Sequence, residues 1–277
     1  MSTLVSLFHE VLFRPLLNLL VFLYEFTGDF GLAIIVVTAL VRLLLYPIAK
    51  KTLVHQKELK KIQPKIKALQ EKHKDDKEML SKEMMALYKE HNFNPASGCL
   101  PMIVQLIVLI ALYRVFLSVM DLRFEELYSW MTNPGKIDTF FFNLFDLGQK
   151  SAELNLGKIL AFNFAEGIKI ASWGGVILAV VAGLAQFYQT KMTIVRQKEK
   201  KEEEEKNKTE EKKKEEAEKK ANEPDMMEIM NKQMLYFFPF LTVYIGLSFP
   251  AGLSLYWTVS TLLLIGQQYL LDRNEKI

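Results

Sequence analysis

The sequence predicts an all-α polytopic membrane protein, with a five-transmembrane-helix core and a cytoplasmic antiparallel helical hairpin. Two features of patterning carry this. The 277 residues are 50% hydrophobic and 24% charged, an average that would suit a soluble protein. However, the apolar residues gather in blocks of about twenty, the length that spans a bilayer, and the charges gather between them. The second feature is how the basic residues are shared out. Twelve lysines fall in 50–94 and eleven basic residues in 196–220, but only five fall in 118–171, where acidic residues are in slight excess. That alternation fits a single threading of the membrane, with the first two stretches cytoplasmic and the third outside. An odd number of crossings then leaves the N-terminus outside and the C-terminus, 272–277, in the cytoplasm. The net charge of +3, from 35 basic and 32 acidic residues, says little about partners because opposite runs cancel.

Residues 1–29 hold the first apolar run, LVSLFHEVLFRPLLNLLVFLYEF, broken by His9, Glu10, Arg14, Pro15 and Asn18. These interruptions predict an amphipathic helix in the outer interface, since a further crossing would put the N-terminus against the charge pattern. The basic n-region and small-residue cleavage site of a signal peptide are not seen here. The first span is expected at 30–49. Residues 50–94 show two apolar stripes at helical spacing: Leu59, Ile62, Ile66 and Leu69, then Met79, Leu80, Met84, Leu87 and Tyr88. Separated by His73-Lys74-Asp75-Asp76, they predict two packed amphipathic arms, the first kinked at Pro64. Spans at 95–117 and 171–192 flank an extracytoplasmic loop, 118–170. The charged stretch 193–232 predicts a solvated helical extension or linker, too rich in glutamate to favour nucleic acid. Spans at 233–250 and 251–271 form a tight hairpin across SFPAGL.

The chemistry lies in the polar residues inside these blocks: Arg42, Gln105, Gln186, Gln189, Ser260 and Thr261. Each costs free energy against acyl chains unless it faces protein or water. Gln186 and Gln189, three apart, share a helix face. Arg42 lies eight residues before Lys50, about 12 Å into its helix at 1.5 Å per residue. A cation at such depth costs about 2.5–3.5 kcal/mol on insertion scales. No Asp or Glu stands within the five blocks, so the guanidinium either snorkels to the nearer surface or is solvated in a cavity open to water. The missing acid also disfavours a proton-relay transporter. GxSxG, HExxH, paired intramembrane aspartates, a Walker-type loop and metal-ligand spacing are all missing, so the reading is of a non-enzyme without cofactor, metal or catalytic residues. A single cysteine, Cys99, rules out an intrachain disulfide and reads as a small packing residue.

Four stretches carry a resemblance. NPASGCLPMIVQLIVLIALYRVF (94–116) is similar to a stretch of the YidC/Oxa/Albino family of membrane protein insertases. FGLAIIVVTALVRLLLYPI resembles that family's first core span, its arginine falling on Arg42. AGLAQFYQTKM resembles the third, with Gln189 at the family glutamine, and FPAGLSLYW resembles the last turn and span. The resemblance implies a hydrophilic groove open to the cytoplasm and sideways to the bilayer. Arg42, Gln105, Gln189 and Trp257 would face it, with Gln186 and Ser260 as neighbours. Thr261 stands where members often carry asparagine, and Gln186 where they often carry a hydroxyl. The large extracytoplasmic domain of some members is not seen, which suggests a short bacterial form in the plasma membrane.

The function implied is insertion and assisted folding of membrane proteins, without nucleotide hydrolysis. The partners would be nascent membrane proteins with short translocated tails, the lipid bilayer, and in some routes a Sec-type translocon and ribosome; no direct nucleic-acid partner is expected. A non-inserting assembly chaperone beside a translocon is the main alternative, and an ion channel a weaker one.

Overall fold

The computed structural model describes residues 3–73, 76–91, 100–154, 168–206 and 226–275. It is helical, with two small β-hairpins. The helices are α1 (Thr3–Phe8), joined through a π-helical turn, His9–Phe13, to α2 (Arg14–Thr27), then α3 (Phe30–Lys72), α4 (Lys77–Glu90), α5 (Leu100–Met120), α6 (Trp173–Lys206), α7 (Met226–Ser248) and α8 (Ala251–Glu275). Strands β1 (Phe140–Phe141) and β2 (Phe145–Asp146) pair antiparallel, as do β3 (Ala152–Leu154) and β4 (Ile168–Ile170). Four stretches are long and apolar enough to cross a membrane: Val5–Thr27, Phe30–Ile48, Ile103–Met120 and Trp173–Ile194, with a shorter one at Gln233–Ser248. The segment expected in the interface thus has the length and apolarity of a span. α8 is missing from this set because Ser254, Thr258, Ser260, Thr261, Gln267 and Gln268 dilute it. Its first six residues are buried, and protein neighbours tolerate polarity that lipid does not. The protein is accordingly an all-α polytopic membrane protein.

The chain divides into two compact units, one of Met1–Phe13 with Leu40–Arg114, the other of Arg14–Ala39 with Val115–Ile277. In the first, α3 passes the expected boundary at Ala49 without interruption and continues through Pro64 to Lys72. Its 43 residues extend about 65 Å, roughly twice the hydrocarbon thickness of a bilayer. The far part packs on α4 as a hairpin, whose core is Ile62, Ile66 and Leu87 with Leu69, Met84 and Tyr88 against them. Met79 and Met85 stay exposed. Asp76 caps α4 by accepting from the Met79 amide at 2.9 Å, so the turn is closed by a polar side chain at an N-terminus, where unpaired amides need one. Lys74 and Asp75 of that turn, and the Asn94-Pro95 and Cys99 positions, lie outside the described residues.

In the second unit, α6 packs against both α7 and α8. Small residues set the closeness of the α6–α7 seam: Ala179 and Ala182 are buried. A methyl added at Gly183 would sit 3.3 Å from the Pro239 carbonyl, and one at Gly246 2.9 Å from Ala179 Cβ. Such seams gain dispersion contacts where no hydrophobic drive exists between lipid and side chain. Loop backbone caps the ends of helices. The amides of Ala251 and Gly252, unpaired within α8, donate to the carbonyls of Gln149 and Leu147 at 3.0 and 2.9 Å. Asn18, one of the residues that interrupt the first apolar run, is buried and fully used. Its Nδ2 donates to the carbonyls of Arg14 (2.7 Å) and Glu126 (3.0 Å), and its Oδ1 accepts from the Tyr128 amide at 2.7 Å. Arg14 stacks on Tyr128, 5.1 Å from the ring centre. These polar residues fasten α2 to the segment after α5, a role that the interfacial reading does not require.

The β1–β2 turn is unusual. Phe142 and Asn143 both have positive φ, 47° and 55°, and the Leu144 amide donates to the Phe141 carbonyl at 2.9 Å. This resembles a type I′ turn, whose positions favour Asn, Asp and Gly. A phenylalanine there costs about 1–2 kcal/mol.

Two outcomes are expected. Asn18→Ala leaves the Tyr128 amide without its side-chain acceptor and takes one donor from the Glu126 carbonyl, and should lower stability by about 1–3 kcal/mol in detergent-based thermal unfolding. At the hairpin tip, Lys72 donates to Glu83 at 3.2 Å and His73 Nε2 lies 3.0 Å from it. The Lys72 hydrogen bond, with His73 adding, holds the Glu83 carboxyl below the ordinary glutamate range. A lowered carboxyl pKa contributes stability above its unfolded value and loses it as pH falls through the folded one. The melting difference between the wild type and Glu83→Gln should therefore shrink to nothing across that acid window.

Candidate functional site

In the first unit, α3 and α5 bring Arg42 and Gln105 together. Arg42 is the thirteenth residue of α3 and Gln105 the sixth of α5, and Arg42 Nη2 donates to Gln105 Oε1 at 3.1 Å. Both are half-buried. A carboxamide oxygen can accept from a guanidinium without bringing a charge of its own, which suits a span with no acid. The pair gives the cation a protein partner inside the apolar helix, but leaves its net charge intact.

In the second unit, α6 and α8 assemble the remaining residues. Trp257 Nε1 donates to Gln186 Oε1 at 3.4 Å, and Gln186 Nε2 donates to Gln189 Oε1 at 3.3 Å. Thr193 Oγ1 accepts from Gln189 Nε2 at 3.5 Å and donates to the Gln189 carbonyl at 3.0 Å. Positions 186, 189 and 193 recur at three and four, so the chain of amides and hydroxyl follows one face of α6. Trp257 adds a donor from α8 while offering an apolar ring. Ser260 and Thr261 are both buried in α8.

Sequence reasoning missed several polar positions. Thr258 Oγ1 donates to the Ser254 carbonyl at 2.9 Å and approaches the Leu178 carbonyl at 3.5 Å. Ser254 and Ser151 both donate to the Gly246 carbonyl at 3.2 Å. Ser254, Thr258 and Thr261 recur at four and three on α8, a spacing that could have revealed them. Arg114 was also passed over, although it lies within the candidate span Ile103–Met120. Arg42 is thus not the only cation within the spans. Arg114 is exposed, six residues before the end of α5, with its guanidinium 5.7 Å from the Phe8 ring centre. At about 9 Å from the helix end, such a side chain can reach the surface.

The architecture so far defines a helical polytopic membrane protein with paired polar side chains inside its spans. Comparison with known proteins narrows this. The family described as 60Kd inner membrane protein matches residues 22–276, and the chain belongs to that family, the YidC family that its motifs resemble. The membrane protein insertase YidC of Pelobacter propionicus is 31% identical over 263 residues, which cover 95% of this chain and 39% of that protein. The one from Geobacter sulfurreducens is 28% identical, covering 95% and 38%. The chain thus spans under half the length of these relatives. A crystal structure of an active YidC insertase with its first transmembrane domain resolved is alike in fold, with a TM-score of 0.51, 24% identity, and coverage of 95% of this chain and 46% of that one.

The Arg42–Gln105 bond has a measurable consequence. Hydrogen bonds to charged groups contribute about 1.5–3 kcal/mol. A double-mutant cycle on Arg42→Ala and Gln105→Leu, read by unfolding in detergent, should return a favourable coupling of that order.

Proposed function

We propose that this protein is a membrane protein insertase, which moves the short polar tail of a nascent membrane protein across the bilayer and releases its apolar helix into lipid. The observation that supports this most is Arg42, a cation kept within an apolar span by a neutral partner. A polar tail is costliest near the bilayer midplane, so a hydrated groove reaching partway in from the cytoplasm shortens the costly path. Arg42 and Gln105 of the first unit, and Gln186, Gln189, Trp257, Ser260 and Thr261 of the second, are the residues proposed to meet the passing tail. The fixed charge of Arg42 favours tails bearing Asp or Glu. Burial of the substrate's apolar helix in lipid, at about 25 cal/mol per Å², drives release without nucleotide. No bond is made or broken, so no catalytic group is needed.

In this reading the helical hairpin faces the cytoplasm and receives substrates before entry. The exposed Met79 and Met85 suit contact with varied apolar segments, because methionine adapts its shape. A Sec-type translocon and the ribosome are the proposed partners for larger substrates. The N-terminus lies outside and the C-terminus inside.

Two experiments test the proposal. Arg42→Ala should reduce insertion of substrates with acidic N-tails several-fold in an insertase-depleted strain, with Arg42→Lys largely retaining it; full rescue by the alanine variant counts against the charge. Purified protein in liposomes should insert a small single-spanning substrate without a translocon. Binding without insertion would favour an assembly chaperone, and steady conductance a channel.

A further inference from the structure

The β1–β2 hairpin is clamped to the first turns of two spanning helices. Phe141 packs over Gly31, where an added methyl would lie 2.8 Å from Phe141 Cβ. Phe145 packs in the same way over Gly174, where a methyl would lie 3.0 Å from its Cγ. Each glycine is the second residue of its helix, α3 or α6, and of a candidate span. A third fastening comes from Asp29. Its Oδ1 caps α3 by accepting from the Leu32 amide at 2.9 Å, and its Oδ2 accepts from the Phe142 amide at 2.7 Å. The hairpin is therefore held at the level where both candidate spans begin.

Apart from Asn143 at the turn, the exposed side chains of the hairpin are apolar. Phe140, Phe142 and Leu144 are 43%, 58% and 72% exposed. Trp173, the first residue of α6 and the one before Gly174, is exposed as well. In water, three large apolar groups on a seven-residue hairpin would be an expense with no return, and Phe142 also occupies a left-handed conformation that asparagine or glycine would adopt freely. Strain kept at one exposed position points to a use for that side chain. Aromatic groups at the polar–apolar boundary of a bilayer supply one.

We infer that the hairpin 140–146 is a membrane-interface anchor. It seats Phe140, Phe142 and Leu144 among the lipid headgroups and upper acyl chains at the surface where α3 and α6 enter. Its partner is the lipid itself, not a protein. By tying two helix starts to one depth, the anchor sets the height of both spans in the bilayer. The inference needs only that the two helices span, so it stands or falls apart from the insertase reading.

The test uses nitroxide labels on the full-length protein in phospholipid vesicles, with Cys99→Ala as background and Phe142→Cys, Leu144→Cys or Lys136→Cys as the labelled site. Lys136 is exposed on the same loop and serves as the aqueous reference. Labels at 142 and 144 should relax with oxygen, which concentrates in lipid, and collide several-fold less than the label at 136 with a water-soluble nickel chelate. Chelate collisions at 142 and 144 matching those at 136 would overturn the anchor. A second variant, Phe142→Asn, suits the turn backbone but removes the ring. With it, the label at 144 should become several-fold more accessible to the chelate; an unchanged depth would show that Phe142 does not hold the hairpin in the membrane.

Discussion

A polar group carried into an apolar helix needs a partner in protein or water, because lipid offers none. That requirement organises this molecule at each scale. At the level of side chains it couples Arg42 to Gln105 and Trp257 to Gln186. At helix ends it recruits loop backbone, as when Gln149 and Leu147 cap α8. It also accounts for Asn18, whose three hydrogen bonds turn an interruption in an apolar run into a fastening.

The two polar groupings differ in kind. Arg42 and Gln105 form a charge-assisted pair, in which the carboxamide accepts from the guanidinium without bringing a charge of its own. Gln186, Gln189, Thr193 and Trp257 form a neutral chain in which each group satisfies the next. The first keeps an electrostatic bias and the second offers amides and hydroxyls that can exchange partners with a passing polar segment. Both properties are what the proposed guidance of hydrophilic tails requires. The small-residue seam at Ala179, Ala182, Gly183 and Gly246 supplies a contrasting tight packing between α6 and α7.

Much of the helical layout was legible, because apolar runs of spanning length and a helical stripe such as Leu59, Ile62, Ile66 and Leu69 are properties of local sequence. Gln186 and Gln189 could be placed on one face by spacing alone. Arg114 shows how the same reading fails: a cation near a helix end scarcely disturbs an apolar average, so its presence in a span passed unnoticed. Leu147 and Gln149 could not have been identified as capping residues either, since they act through backbone carbonyls that carry no residue-specific signal.

Sequence alone determined the membrane class, the helical hairpin, the family and part of the set of polar residues stranded in apolar surroundings, because hydropathy and helical period act over neighbouring positions. Tertiary structure decided who pairs with whom. Arg42 meets Gln105 across 63 positions and Gln186 meets Trp257 across 71. It also decided that Phe141 and Phe145 would rest on glycines at the starts of two helices. Such partners depend on how helices cross and loops return, and no local pattern of residues specifies that.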